Sequence, residues 1–308
     1  MTELPPNPFP PYRPPVEPTT RADGARIFAG ISYAVISGYR PLQLDVWVPP
    51  TAAPPPLVVW IHGGAWLSGD RRYLPETLRP NQLFDALLAA GLAVATVDYR
   101  HTREAPFPAQ LHDVKAALRY LRAHATELGV DVARVGVWGE SAGGHLAALL
   151  ALTAQRPDLE GDVGAPGRAG DVAAVVDWYG VADPDALTRL PAAAATVMGM
   201  PDHPPDLLLA GAAPATHDDA APLRQVHRGA PPFLLMHGTA DRLVPFAQSE
   251  ALLGALRAAG VPAELIPVQG ADHIFAFCPD VDPLVARSVR FLVEALAPPP
   301  HGVIGPDV

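Results

Sequence analysis

The stretch Arg134-Val135-Gly136-Val137-Trp138-Gly139-Glu140-Ser141-Ala142-Gly143-Gly144-His145-Leu146, which stays small and apolar through Leu152, decides how this chain is read. Arg134–Trp138 is an apolar run of the kind that forms a buried strand. Ser141–Leu152 suits a helix that is buried all round. Between them, Gly139-Glu140-Ser141-Ala142-Gly143 matches G-x-S-x-G in the strand–turn–helix context that the motif requires. So tight a turn leaves no room for side chains at Gly139 or Gly143. It holds the serine in a strained backbone conformation at the positive end of a helix. Ser141 is therefore the candidate nucleophile.

The same alternation extends in both directions. Leu42–Val48 alternates as an early strand. Leu57–Ile61, Leu92–Val97, Val172–Trp178 and Phe233–Met236 are apolar runs suited to strands covered on both faces, and Ala263–Val268 adds a last one. Helical patterns at Asn81–Ala90, Ala109–Leu128, Phe246–Ala259 and Val281–Ala297 fall between them. Leu111, Val114, Leu118 and Leu121 form the apolar stripe of the second helix. Strands alternating with helices predict an α/β chain: a mostly parallel central sheet of about eight strands with helices on both faces. Residues 183–229, with seven prolines, break the rhythm and read as a cap insertion over the mouth of the site. Residues 1–24 read as a Pro-rich N-terminal arm, 25–297 as the catalytic domain and 298–308 as a tail.

A serine hydroxyl needs a base, and the base needs an orienting carboxylate. After a nucleophile elbow these follow in the order acid, then histidine. Seven histidines lie downstream of Ser141. His145 is one helical turn on. His203, His217 and His227 lie in the insertion, His237 ends a strand, and His301 is in the tail. His273, in the loop between the last strand and the last helix, is placed to hang over the sheet edge as the base. Asp241 follows the strand Phe233–Met236 and shares that edge. Asp272 is too close in sequence to fold onto its neighbour's ring, and Asp183 and Asp185 follow an earlier strand. The turn His62-Gly63-Gly64-Ala65-Trp66 comes directly after Leu57–Ile61. Its glycines let backbone N–H groups approach a substrate oxyanion, and the Ala142 amide adds a donor. Gly63, Gly64 and Ala142 are thus the expected oxyanion hole. Trp66, Leu208 and Leu209 are candidate substrate contacts, and Trp138 reads as core.

Composition narrows the classes. Of 308 residues 49% are hydrophobic and 18% charged, enough to bury a substantial core. The net charge of -10 and the single lysine, Lys115, offer no basic footprint for nucleic acid. The one cysteine, Cys278, rules out a disulfide within the chain and argues against a Cys-based metal site. No signal-peptide pattern and no spanning apolar segment is present, so a cytoplasmic protein without a membrane span is expected. Neither cofactor nor metal is expected, and the oligomeric state is not readable.

Taken together, His62–Trp66, Gly139–His145, Gly238–Pro245 and Gly270–His273 resemble the hormone-sensitive-lipase-like and feruloyl-esterase-like (BD-FAE-type) carboxylesterase branch of the α/β-hydrolases, over roughly residues 25–297. The resemblance implies an α/β-hydrolase fold, a Ser141–Asp241–His273 triad, and hydrolysis of short- to medium-chain carboxylic esters as small-molecule substrates. Asp98-Tyr99-Arg100 resembles a structural strand-end motif of that branch. Two departures stand out. Ala65 replaces a third glycine found in many members, and the Pro-rich start does not read as a helical cap. An amide-cleaving hydrolase such as an arylformamidase, which is similar in the His-Gly-Gly-x-Trp and Ser-Ala-Gly regions, is the nearest alternative. A prolyl-oligopeptidase-like peptidase is weakened by the absence of a propeller domain. A non-catalytic binding protein on a hydrolase scaffold is the remaining alternative.

Overall fold

The computed structural model describes residues 10–298. Most of the expected tail (298–308) and the first nine residues of the arm lie outside them. Nine strands form one sheet: β1 (Thr19–Thr20), β2 (Arg26–Ala34), β3 (Leu42–Val48), β4 (Pro56–Ile61), β5 (Ala93–Val97), β6 (Asp131–Glu140), β7 (Ala174–Trp178), β8 (Phe233–Gly238) and β9 (Ala263–Val268). Their order is β1-β2-β3-β5-β4-β6-β7-β8-β9. From β5 to β9 every neighbouring pair is parallel, while β1, β2 and β3 add an antiparallel edge.

Successive side chains of a strand point to opposite faces, and both faces here are covered. In β4, Leu57, Val59 and Ile61 join one core, and Val58 and Trp60 join the other. Helices α2 (Ala109–Ala123), α4 (Ala142–Leu152) and α9 (Ala247–Ala258) close the first core through Leu111, Leu146 and Leu252. Helices α1 (Gln82–Ala89) and α10 (Asp282–Ala295) close the second through Leu83 and Leu292. The long helix expected over 109–128 is interrupted at His124, after which α3 (Ala125–Leu128) runs to Gly129 in the left-handed conformation. Among the described residues no helix is long and apolar enough to cross a membrane.

Two strands went unread in the sequence. β2 carries a register shift between Phe28 and Ile31, and such a bulge destroys the period-two alternation that marks a strand. The described part of the Pro-rich arm is tied to the domain. Thr19–Thr20 pairs with β2, the Arg13 and Val35 amides donate to Ser32 O and Pro11 O, and the Tyr120 hydroxyl donates to Arg13 O. Residues 183–229 contain the short helices α5 (Ala192–Met198), α6 (Pro205–Leu208), α7 (Pro214–Asp219) and α8 (Pro222–Gln225), placed between β7 and β8.

The strand-end sequence Asp98-Tyr99-Arg100 braces the loops above the sheet. The Tyr99 hydroxyl donates to His62 O at 3.0 Å and Gly63 O at 3.2 Å. Arg100 makes a forked pair with the fully buried Asp113, at 2.9 Å from Nε and 2.8 Å from Nη2. Removing one partner strands a buried charge, and such losses run to about 3–5 kcal/mol, whereas exposed pairs contribute about 0–1 kcal/mol. Asp113→Ala is therefore expected to lower unfolding free energy by about 3–5 kcal/mol in urea titration. Asp70→Ala, at the exposed pair with Arg72, should stay within about 1 kcal/mol. Equal losses would mean that burial of the Arg100–Asp113 pair carries no weight.

Candidate active site

The turn from β6 into α4 places Ser141 with φ 53° and ψ -120°, a left-handed conformation that is strained for a side chain bearing a Cβ. A Cβ on Gly139 would overlap the Gly143 carbonyl, and one on Gly143 would overlap the carbonyls of Ile61 and His62. The Ser141 amide donates to Trp178 O at 2.8 Å, which fixes the elbow to β7. Ser141 Oγ lies 2.9 Å from His273 Nε2, and His273 Nδ1 lies 2.8 Å from Asp241 Oδ2. The structure thus brings the serine, the histidine and the aspartate into one hydrogen-bonded chain.

Each member is held from behind. Burial alone would raise the Asp241 carboxyl. Hydrogen bonds from His237 and His273, the charge of His273 and the Val244 amide outweigh it and hold the group well below the usual carboxylate range. The amides of Leu243 and Val244 both donate to Oδ1 at 2.8 Å, and Oδ2 faces His273 Nδ1 at 2.8 Å and His237 Nε2 at 3.2 Å. Asp272 faces away from the His273 ring. It accepts the backbone amides of Arg242 and His273 at 2.9 Å each and pairs with the Arg242 side chain. It therefore ties together the two loops that carry Asp241 and His273. Tyr179 packs its ring against His273, with centroids 4.9 Å apart.

The other histidines take structural places. His62 is fully buried, stacks on Tyr99 at 4.4 Å and contacts Gly63 O through Nδ1. His145 accepts from Trp66 Nε1 at Nδ1 and donates from Nε2 to Ala220 O. Burial lowers both to about 4, so both are neutral at pH 7. His237 bonds Ser249 Oγ and Val244 O.

Two expectations are corrected. The Gly63 amide donates to Glu140 Oε1 at 2.5 Å, so it is not available to an oxyanion. Among the described residues, the amides of Gly64, Ala65 and Ala142 donate to no protein group, and all three residues border the space beside Ser141. Leu208 and Leu209 contact no substrate space. They sink into the core, and Leu208 O accepts the Phe107 amide at 2.8 Å. An apolar triplet in an insertion anchors it to the domain as readily as it lines a cleft. Trp66 does border the space beside Ser141, and Trp138 is core.

A cavity of about 950 Å³ opens over Ser141 and His273. Leu190, Pro191, Ala194 and Val197 of the 183–229 segment form one wall, and Tyr73, Glu76 and Glu140 form part of the other. A second recess, of about 30 Å³, adjoins the cavity at Ala65, Ser141, Leu190 and Leu243 and is bordered by Trp66, Val181, Leu187 and His203.

Glu140, the variable position of the motif, was not singled out by sequence reasoning. Its signal is an acidic residue directly after the apolar run Val135–Trp138 and Gly139. Burial pushes its carboxyl up from the ordinary 4.5 to about 7, against the opposing pull of His273 and the Gly63 amide. Between pH 4.5 and 7 the folded chain holds a proton there that the unfolded chain has lost. The stability linked to Glu140 is therefore full below pH 4.5 and lost as pH rises through 7, by about 3 kcal/mol in all. Glu140→Gln, which keeps an acceptor for Gly63 without the charge, is expected to gain stability over the parent by up to about 3 kcal/mol between pH 5 and pH 8 in urea titrations. A gap that does not change with pH would remove the buried charge from the account.

Comparison with known proteins identifies the family and the fold. A family model described as BD-FAE matches residues 44–256. Esterase LipC of Mycobacterium tuberculosis is 32% identical over 78% of this chain and 59% of its own length. The chain thus spans less than two thirds of that relative. A truncated carbohydrate esterase from gut microbiota superimposes with a TM-score of 0.74 at 27% identity, covering 90% of this chain and 98% of the other. Thermogutta terrifontis esterase 2, phosphoramylated by tabun, gives a TM-score of 0.68 at 28% identity, covering 90% and 97%. With its parallel sheet, its elbow serine and a family match over more than half its length, the chain has the α/β-hydrolase fold and belongs to the BD-FAE family.

Proposed function

We propose that this chain is a serine carboxylesterase that hydrolyses carboxylic esters through an acyl-enzyme on Ser141. The observation that carries the reading is the Ser141–His273–Asp241 relay at the floor of a cavity large enough for a small-molecule ester. His273 Nε2 removes the Ser141 proton as Oγ attacks the ester carbon. Asp241, kept ionised by its donors, holds the imidazole in the right orientation and stabilises the imidazolium. The negative charge that develops on the carbonyl oxygen falls to the amides of Gly64, Ala65 and Ala142, fixed donors that need no reorganisation at the moment of reaction. His273 then gives its proton to the departing alcohol. Water enters and loses a proton to the same nitrogen as its oxygen attacks the acyl carbon, and His273 returns that proton to Ser141 Oγ as the bond from the acyl carbon to Oγ breaks and the acid leaves.

The Glu140–Gly63 bond has a place in this scheme. It holds the first glycine of the turn down, so that the next two amides face the substrate. The relatives named esterases, and the tabun adduct of the Thermogutta enzyme, support a nucleophile of the same kind.

Ser141→Ala should reduce turnover of p-nitrophenyl acetate by about a million-fold, and Asp241→Asn by about ten thousand-fold. A fluorophosphonate probe should label the parent at Ser141 and leave Ser141→Ala unlabelled. An unlabelled parent that is inert on esters would turn the assignment toward a binding role. Faster cleavage of N-formylkynurenine than of any ester would turn it toward an amidase.

A further inference from the structure

The two spaces beside Ser141 differ in volume about thirty-fold, 950 against 30 Å³, and their relation to His273 assigns a role to each. In the first half of the reaction the proton on His273 Nε2 must pass to the alcohol oxygen as the bond from carbonyl carbon to that oxygen breaks. The alcohol must therefore leave on the side that His273 faces. His273 lines the large cavity and does not line the small recess. The acyl chain, attached to the carbon bonded to Ser141 Oγ, extends the other way, into the recess bordered by Ala142 and Trp66.

From this we infer that the chain is selective for esters joining a very short acyl group, acetyl or propionyl, to a large and mostly apolar alcohol. This inference rests on the serine-esterase reading and narrows it. The recess, about 30 Å³ against about 950 Å³ for the cavity, suits the smaller of the two parts of an ester. Its walls resist enlargement. Trp66 is buried, and its indole N–H is fixed by His145 at 3.2 Å. Leu187 O is held by His203 Nε2 at 3.0 Å. A long or aromatic acyl group would have to displace these residues. The large cavity lies within the range of small-molecule sites, about 300–1,000 Å³. Its cap-side wall is Leu190, Pro191, Ala194 and Val197, and Leu243 and Ile274 add apolar surface beside His273. Val197 is 89% exposed at the cavity edge, an apolar surface that an extended alcohol would cover.

Two substrate series test the inference. In one, p-nitrophenyl is fixed and the acyl chain runs from acetate to octanoate. In the other, acetate is fixed and the alcohol runs from ethyl to benzyl to 1-naphthyl, with a peracetylated sugar as the polar comparison. A misfit of a few methylenes in a closed pocket costs about 10- to 200-fold. Acetate or propionate should therefore exceed hexanoate at least tenfold in kcat/KM, and 1-naphthyl acetate should exceed both ethyl acetate and the sugar. Leu187→Ala should move the acyl optimum to butanoate or longer. Ala194→Trp should lower the ratio of 1-naphthyl to ethyl acetate at least tenfold. Preference for hexanoate or longer, or for the acetylated sugar, with Ser141 still labelled by fluorophosphonate, overturns this inference alone. The same holds if neither variant changes its ratio. No ester turnover together with no label overturns the serine-esterase reading as well.

Discussion

Gly139 and Gly143 bring the end of β6 and the start of α4 so close that neither position could carry a Cβ without meeting a backbone carbonyl. Everything chemical in the molecule depends on that approach. It holds Ser141 at a positive φ, with its hydroxyl 2.9 Å from His273 Nε2. It also presses α4 against the carbonyls of Ile61 and His62, so the end of β4 and the turn after it lie beside the serine. The strain is affordable because β6 is central, with β4 on one side and β7 on the other, and because α4 is buried along its whole length. A cost of order 1–3 kcal/mol persists only where the surroundings over-determine it.

The parts of this arrangement that were legible in the sequence are those that repeat a local pattern. Predominantly apolar runs identify β4, β5, β7 and β8, and the elbow identifies itself by its glycines. Asp241 and His273 follow from chain order and from their places after β8 and β9. What was not legible depends on contacts between distant segments. Nothing local in Gly63-Gly64 says which amide turns toward a protein acceptor, because that acceptor, Glu140, lies 77 residues away. Leu207-Leu208-Leu209 is apolar whether it faces a ligand or the core, and only the packing against Phe107 separates the two. The bulge in β2 hid a strand by disturbing its alternation. In the Pro-rich arm, composition masked a backbone that finds its partners on β2 and at the end of α2.

The polar groups beneath the site form a second layer with a different logic from the apolar cores. Asp98 takes the Gln43 and Arg71 amides, Asp113 takes Arg100, Glu140 takes Gly63, and Asp272 takes Arg242 and His273. In each case a carboxyl group, on helix α2 for Asp113 and at a strand end or in a loop for the others, accepts backbone N–H groups that a loop cannot satisfy within itself. Buried amides left unmatched are costly, so loops above a parallel sheet need such acceptors. Their positions fix the loop conformations as firmly as side-chain packing fixes the strands. The loops around the site are thereby held by hydrogen bonds to side-chain carboxyl groups.

That rigidity explains how one fold can keep its chemistry and change its substrate. Ser141, His273, Asp241 and the amides around the elbow belong to strand ends and their braced loops. One wall of the large cavity comes from residues 183–229, through Leu190, Pro191, Ala193, Ala194, Val197 and Met200, and the rest from the loops after β4, β6, β8 and β9. The small recess mixes the two, with Trp66 fixed by His145 from the rigid side and Leu187 and His203 from the insertion. Substitutions in the insertion alter the shape of both spaces without touching the relay, whereas substitutions in the braced loops alter the relay first. The shape of the two spaces thus depends on both the 183–229 segment and the braced loops, whereas the hydrogen-bonded chain of Ser141, His273 and Asp241 depends on the braced loops alone.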